Sequence, residues 1–362
     1  MNIKAISVYT IKIVISFAFL FSAFAGDRGN HLSVHEKQIS DSAAAKTNNR
    51  ILFIKYALSS DNPQSYLPLM DFEYKNFNKP ASYPLEDGTT WLYDTDINYY
   101  KAAGFAAFVL SLETFGYYRL KDLWYDWETT KMHSINFKAD FEKYLWMDKF
   151  GHFMHAYFST GLFSKGYRWL GMSGENSILY GALSGWLWML QIEIADGFFK
   201  DWGFSWGDLI ANTFGAGFSA LQQVYPDALG GIQPKISYQM SEALKQRKYI
   251  NNSKSIIDDY EGMTFWLAVN AYHYMSESVQ HKYPEWLKPF GLALGYAAEG
   301  IGSNPQGGYK KIFIGLDYDL RKLSLGNESS IIRFLKSELN IIRLPLPAVR
   351  ISSDGVWYGL YF

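Results

Sequence analysis

Cysteine is absent from all 362 residues. That excludes disulfides, thiolate metal sites, a cysteine nucleophile and an N-terminal lipidated cysteine. Net charge is also nearly absent, at −1, with 34 basic against 35 acidic residues. No basic stripe stands out, so nucleic acid is not an expected partner. No apolar run reaches the ~20 residues of an unambiguous membrane helix. No HExxH pair occurs, so zinc-protease spacing is missing. No repeat of solenoid or propeller period is present.

Aromatic residues, in contrast, make up 18% of the chain. Such enrichment suits a membrane interface or an aromatic-rich sheet. The mean hydropathy of −0.13 is low for a chain built wholly of membrane helices. It fits a peripheral or mixed protein, or a sheet with one polar face. The N-terminus reads as a secretory signal over 1–25. Lys4 and Lys12 precede an apolar core from Ile13 to Phe21, and Ala23-Phe24-Ala25 forms an A-x-A site. An uncleaved anchor is the alternative. Export to a bacterial cell envelope follows. Residues 26–95 read as a flexible leader and loop region, with a turn at Asp87-Gly88.

The spacing predicts a helical core over 96–226, about four apolar helices. The first begins near Asp96, which can cap it, and carries an uncharged stretch from Ala102 to Leu112. The next three cover about Asp148 to Leu170, Ser177 to Asp196 and Trp206 to Val224. Gly181-x-x-x-Gly185 is a small-residue contact pattern. The lengths leave spanning helices and a buried core both open. Over 227–362 the pattern turns to strands. Thr264 to Tyr272, Leu292 to Ala298, Lys310 to Leu320 and Gly355 to Phe362 have strand character, with Lys310 to Leu320 the clearest. The expected fold class is therefore α+β, a helical core followed by a small antiparallel β-rich C-terminal region. A terminal Phe362 behind alternating apolar residues is also the pattern that targets outer-membrane barrels. Too few strands are visible for an independent barrel. The outer membrane is the favoured location, with the inner membrane or periplasm as alternatives.

Within the helical core, acids and imidazoles fall on matching faces. Asp148, His152 and His155 share one face, with Lys149 beside them. Glu193 and Asp196 close the second long helix, and Asp208 and Asn212 share a face of the third. Ionisable groups among apolar helices are costly and so are paired or functional. Three readings stay open. The seam is a structural network, a lipid or glycan headgroup site, or a divalent-metal centre with His152, Glu193 and Asp196 as ligands. The last reading would make the protein a metal-dependent hydrolase acting on an envelope lipid or phosphate ester, with Asp208 as a further ligand or base candidate. Gly203-Phe204-Ser205-Trp206-Gly207 is a literal G-x-S-x-G, but no good strand precedes it. Ser205 reads better as a helix cap with Asp208 three residues on. Asp148 has a capping explanation as well.

The combination Asp148-Lys149-x-x-His152, Glu193-x-x-Asp196-Gly197 and Trp202-x-x-Ser205-Trp206-x-Asp208-x-x-x-Asn212 resembles the YfiM-like family of periplasmic, envelope-associated proteins. It is more distantly similar to VanZ-like membrane proteins. The compact resemblance covers about Lys121 to Tyr225. A longer form extends through Asp259 to Gly262, Leu294 to Tyr296 and Pro345 to Pro347. It implies an envelope location and membrane or envelope lipid as partner, and supplies no reaction. Short members carry a lipid-bearing cysteine, which this chain lacks, so lipid anchoring is not carried over.

Overall fold

The computed structural model describes residues 81–124, 128–246, 255–301, 307–352 and 355–362. The signal segment and most of the leader lie outside them. The first described element is a hairpin where the sequence suggested only a loop. Strands β1 (Ser82–Pro84) and β2 (Thr90–Leu92) pair antiparallel around Gly88, whose φ of 80° a side chain would strain. Asp87 accepts from the Thr89 backbone and fixes the turn.

Helix α1 runs Tyr99–Trp124. Asn98 rather than Asp96 caps it, accepting from Lys101 N at 3.0 Å. Asp96 is instead held in the backbone, donating from its N–H to Gly171 O. The short α2 (Phe137–Lys143) is capped by Asn136. Then follow α3 (Met147–Trp169), α4 (Gly174–Asp196) and α5 (Trp206–Val224), within a few residues of the expected bounds.

Small residues let α3 and α4 approach closely. A Cβ at Gly181 would lie 2.7 Å from Ser164 N, and one at Gly185 would lie 2.6 Å from Thr160 N. The two glycines are four apart, as are their partners Thr160 and Ser164, so one turn of each helix repeats the contact. Gly215 of α5 backs onto the Phe153 carbonyl of α3 in the same way. The close approach is what brings side chains of all three helices within hydrogen-bond reach.

The C-terminal region is an antiparallel meander of β3 (Ile232–Tyr238), β4 (Met263–Val269), β5 (Phe290–Glu299), β6 (Tyr309–Tyr318), β7 (Leu346–Arg350) and β8 (Val356–Tyr361), paired in that order. The α+β expectation therefore holds. The run Asn340 to Leu344 is a bridge, not a full strand: Ile341 and Arg343 bond the free edge of β3 through Ile236. Helix α6 (Ser330–Leu339), capped by Ser329, stands before it and was not anticipated. Its Ser-x-x-Ile cap and the Ile331, Leu335, Leu339 spacing are the signals that would have shown it.

The sheet curls. Trp266 on β4 meets Tyr361 on β8 with ring centroids 5.9 Å apart, and Thr264 Oγ1 lies 3.1 Å from Tyr361 OH, although β4 and β8 are not neighbours. Inside the curl lie Ala268, Ala293, Ala297, Phe313 and Ala348. Lys235 is fully buried there, 2.8 Å from Asp317 Oδ2. Arg343 lies 3.9 Å from the Trp266 ring centroid and donates to the carbonyls of Tyr361 and Leu316 at 2.9 Å each. A second apolar cluster joins sheet to helices: Phe265 and Ala298 pack with Met147 and Met154 of α3, and Phe150 stacks on Phe265.

Candidate functional site

The site is organised by Lys149, on the first turn of α3 and 5% exposed. Its Nζ donates to Asp140 Oδ1 and Asp208 Oδ1 at 2.7 Å each and to Asp148 Oδ2 at 3.0 Å. An ammonium has three protons, and each meets one carboxylate. These acids come from α2, α5 and α3. Ser205 Oγ donates to Asp140 Oδ2 at 2.7 Å and accepts from Asp208 N at 2.9 Å. The capping reading of Ser205 is therefore correct, and its buried hydroxyl is engaged both as donor and as acceptor. The capping explanations of Asp148 and Asp208 are corrected: both side chains turn inward to the ammonium. Tyr260, just ahead of β4, donates to Asp148 Oδ1 at 2.6 Å and ties the sheet to the cluster.

His152 lies one turn on. Its Nδ1 is 3.2 Å from Glu193 Oε1 and 3.3 Å from Asn212 Oδ1, and its Nε2 is 3.7 Å from Asp148 and 3.8 Å from Asp208. Glu193 and Asn212 are buried, while the Asp148 and His152 side chains keep 15% and 17% of their surface. The other two sequence candidates sit apart. His155 is exposed and its Nδ1 bonds the Gly151 carbonyl of its own helix. Asp196 lies one turn beyond Glu193 at the end of α4 and acts on the cluster through its charge on Glu193. Asp140 and Tyr260 complete the site and were not among the residues singled out from the sequence.

Four acids surround two cations, and the protonation pattern follows. Burial alone would raise the Asp148 carboxyl, but His152, Lys149 and the Tyr260 hydroxyl outweigh it and hold it at about 2. Burial and the neighbouring Asp148 charge push Asp208 up to about 6, against His152 and Lys149. Burial, opposed by His152 and reinforced by Asp208 and Asp196, raises Glu193 well above the carboxylate range. Burial disfavours the imidazolium of His152, yet the charges of Asp208, Glu193 and Asp148 bring it up to about 9. Lys149 is likewise raised by Asp148 and Asp208 in spite of burial. At neutral pH the cluster therefore holds a charged lysine and a charged histidine, with Glu193 biased by its burial toward the protonated form.

Among the described residues, the atoms that could share a metal ion belong to Asp148, His152 and Asp208, within 4.8 Å of one another. Neither Glu193 nor Asp196 is in that group, so the set drawn from the sequence, His152 with Glu193 and Asp196, differs from the one that lies together among the described residues. The fit of a cation even to the converging set is poor. The Lys149 ammonium already lies against the Asp148 and Asp208 carboxylates, and an ion on those oxygens would stand beside a buried positive charge.

No curated protein and no solved structure matches the chain. Residues 137–224, about a quarter of the sequence, match the model of a family described as predicted periplasmic lipoprotein (DUF2279), and that stretch runs from the start of α2 to the end of α5 and holds every member of the cluster except Tyr260.

Proposed function

We propose that the chain is a membrane-associated protein of the bacterial cell envelope whose polar cluster is a structural centre, locking the helical bundle and fastening the sheet to it. The observation that carries the reading is the Lys149 ammonium with its three carboxylates from three helices. Its donors are all used, and Tyr260 brings the sheet onto the same acid. The family match supports an exported, periplasm-facing location. The outer membrane is favoured by the β8 pattern ending in Phe362, and YfiM-like remains our finer name for the motif set.

Membrane association is supported by apolar surface. Helix α1 buries Ala102, Phe105 and Val109 and leaves Phe108, Leu112 and Phe115 exposed on the adjoining face. A helix whose apolar surface extends beyond its buried stripe needs a second apolar neighbour.

A second reading keeps the cluster as a site for a lipid or glycan headgroup. Two buried atoms, Glu193 Oε1 and Asn212 Nδ2, have no aligned hydrogen bond, and Asp148 and His152 beside them are partly exposed. The hydrolase alternative needs a metal beside Lys149, and the position of that ammonium argues against it.

Elemental analysis, native mass spectrometry and urea unfolding of wild type and His152→Ala separate the three. The structural centre predicts a lowered unfolding midpoint with neither metal nor lipid changing. A lipid retained by wild type and lost by the variant would move the conclusion to the headgroup site. A stoichiometric metal lost on substitution would overturn the structural reading in favour of the hydrolase.

A further inference from the structure

The sheet is inside out by the standards of a protein in water. Its inward face carries Lys235, Asp317 and Arg343 beside Trp266 and Phe313, among alanines and glycines. Its outward face carries the large aliphatics. The register aligns them in rows across strands: Val269, Leu292 and Leu316 form one, and Leu267, Leu294 and Ile314 the next. These six side chains are 40–60% exposed. A contiguous apolar face of this kind exceeds what a soluble monomer ordinarily leaves in water. Polar-in and apolar-out alternation is the arrangement of sheets that face lipid.

Shape and size choose the occupant. The inward side chains of β4, β6 and β8 touch one another, so the sheet curves toward them and the aliphatic face is convex. Two convex faces meet along a line, whereas packed sheets need broad contact about 10 Å apart. Fluid acyl chains conform to a convex surface. The next outward row down joins Tyr296 to Ile312, and Tyr296 is already covered by Phe150 of α3. From the Leu292 row to that row is four residues, roughly 14 Å of strand. A spanning barrel needs a band of about 25 Å, while one leaflet offers about 15 Å of hydrocarbon. The outward face is bounded by the Phe290–Tyr318 ring pair at one end and by exposed Lys310 at the other, residue types that sit at headgroup level.

We infer that the convex outer face of β4, β5 and β6 is the membrane-docking surface of this protein, lying in the acyl layer of a single leaflet without spanning it. The inference rests on the membrane reading above and assigns that reading to a surface.

The test uses the cysteine-free full chain, with single Leu294→Cys, Ile314→Cys and Lys310→Cys variants carrying a nitroxide, and vesicles of phosphatidylethanolamine and phosphatidylglycerol. With vesicles, the labels at 294 and 314 should gain oxygen accessibility and lose access to a water-soluble nickel chelate. The label at 310 should keep part of that access. The double variant Leu294→Asp with Ile314→Asp should partition roughly tenfold or more weakly. It should fold as wild type does, because both positions face outward. If wild type does not bind vesicles, the membrane reading and this inference fall together. If it binds while positions 294 and 314 stay open to nickel, the docking surface is elsewhere and only the inference falls. Nickel protection without vesicles, with spin–spin broadening between copies, would mean that a second chain covers the face and would also overturn it.

Discussion

Replacing Lys149 by Met keeps the stem of the side chain and removes the charge. In wild type the ammonium meets Asp140 and Asp208, whose side chains are 4% and 8% exposed, and Asp148 at 15%. Removing one partner of a buried ion network leaves uncompensated charge and costs about 3–5 kcal/mol. Here three acids lose a shared partner, so the upper part of that range is expected at about pH 7.5, a large share of a typical stability of about 5–15 kcal/mol. The deficit should shrink as pH falls. Asp208 already titrates at about 6 with the ammonium present, and without it the acids bind protons more readily still. At about pH 5 the variant should recover at least half of the lost stability. Adding Asp208→Asn to the variant should be stabilising, although the same change in wild type destabilises, and the difference is the coupling energy of the pair. Urea unfolding followed by far-ultraviolet circular dichroism measures all four states at both pH values. A loss below about 1 kcal/mol at the higher pH, or one that does not change with pH, would show that the ammonium is not the counter-ion of these acids.

Other consequences are narrower. His152 titrates at about 9 when folded against 6.5 when unfolded, so its charged form adds stability that is full below about pH 6.5 and lost as pH rises through 9; the 2.5-unit difference sets a ceiling of about 3 kcal/mol. His152→Asn should flatten the stability profile in that window, and an unchanged slope in the unfolding curves would refute the assignment. Burial biases Glu193 toward its protonated form, so Glu193→Gln should cost under about 1 kcal/mol at neutral pH while Glu193→Ala costs about 2 or more; equal losses by thermal unfolding would refute that bias. Gly185→Val drives a side chain into the Thr160 backbone and should cost about 3 kcal/mol, read as a lower urea midpoint, with Gly217→Ala on α5, where a Cβ meets open space, as the neutral control.

The helices were legible because their polar and small residues recur at helical spacing. Asp148 and His152, Asp208 and Asn212, and Gly181 and Gly185 are each four residues apart, and a helix puts such pairs on one face. The hub could not be read the same way. Lys149 is adjacent to Asp148, so helical spacing assigns it to a different face, and only a long flexible stem brings its ammonium back to that acid. Asp140 sits in a separate short helix, and Tyr260 lies 112 residues from the acid it bonds. The strands were legible as elements but not in orientation. Period two states which residues share a face and leaves open which face is buried. The usual assumption buries Leu and Ile, whereas here the inward set is Lys235, Asp317 and Arg343 with Trp266, Phe313 and alanines. Residue size supplies the sign on β5, where Gly291, Ala293, Gly295 and Ala297 alternate on the inward side and leave room for Trp266 and Phe313. The helical half repeats the inversion. The acids and imidazole of α3, α4 and α5 turn inward while Phe108, Leu112 and Phe115 of α1 turn out. A chain in water gains by the opposite arrangement, since each exposed large apolar side chain forgoes about 1.5–3 kcal/mol of burial. The membrane reading accounts for the inversion of both halves with one cause, because a face in contact with acyl chains forgoes nothing by being apolar.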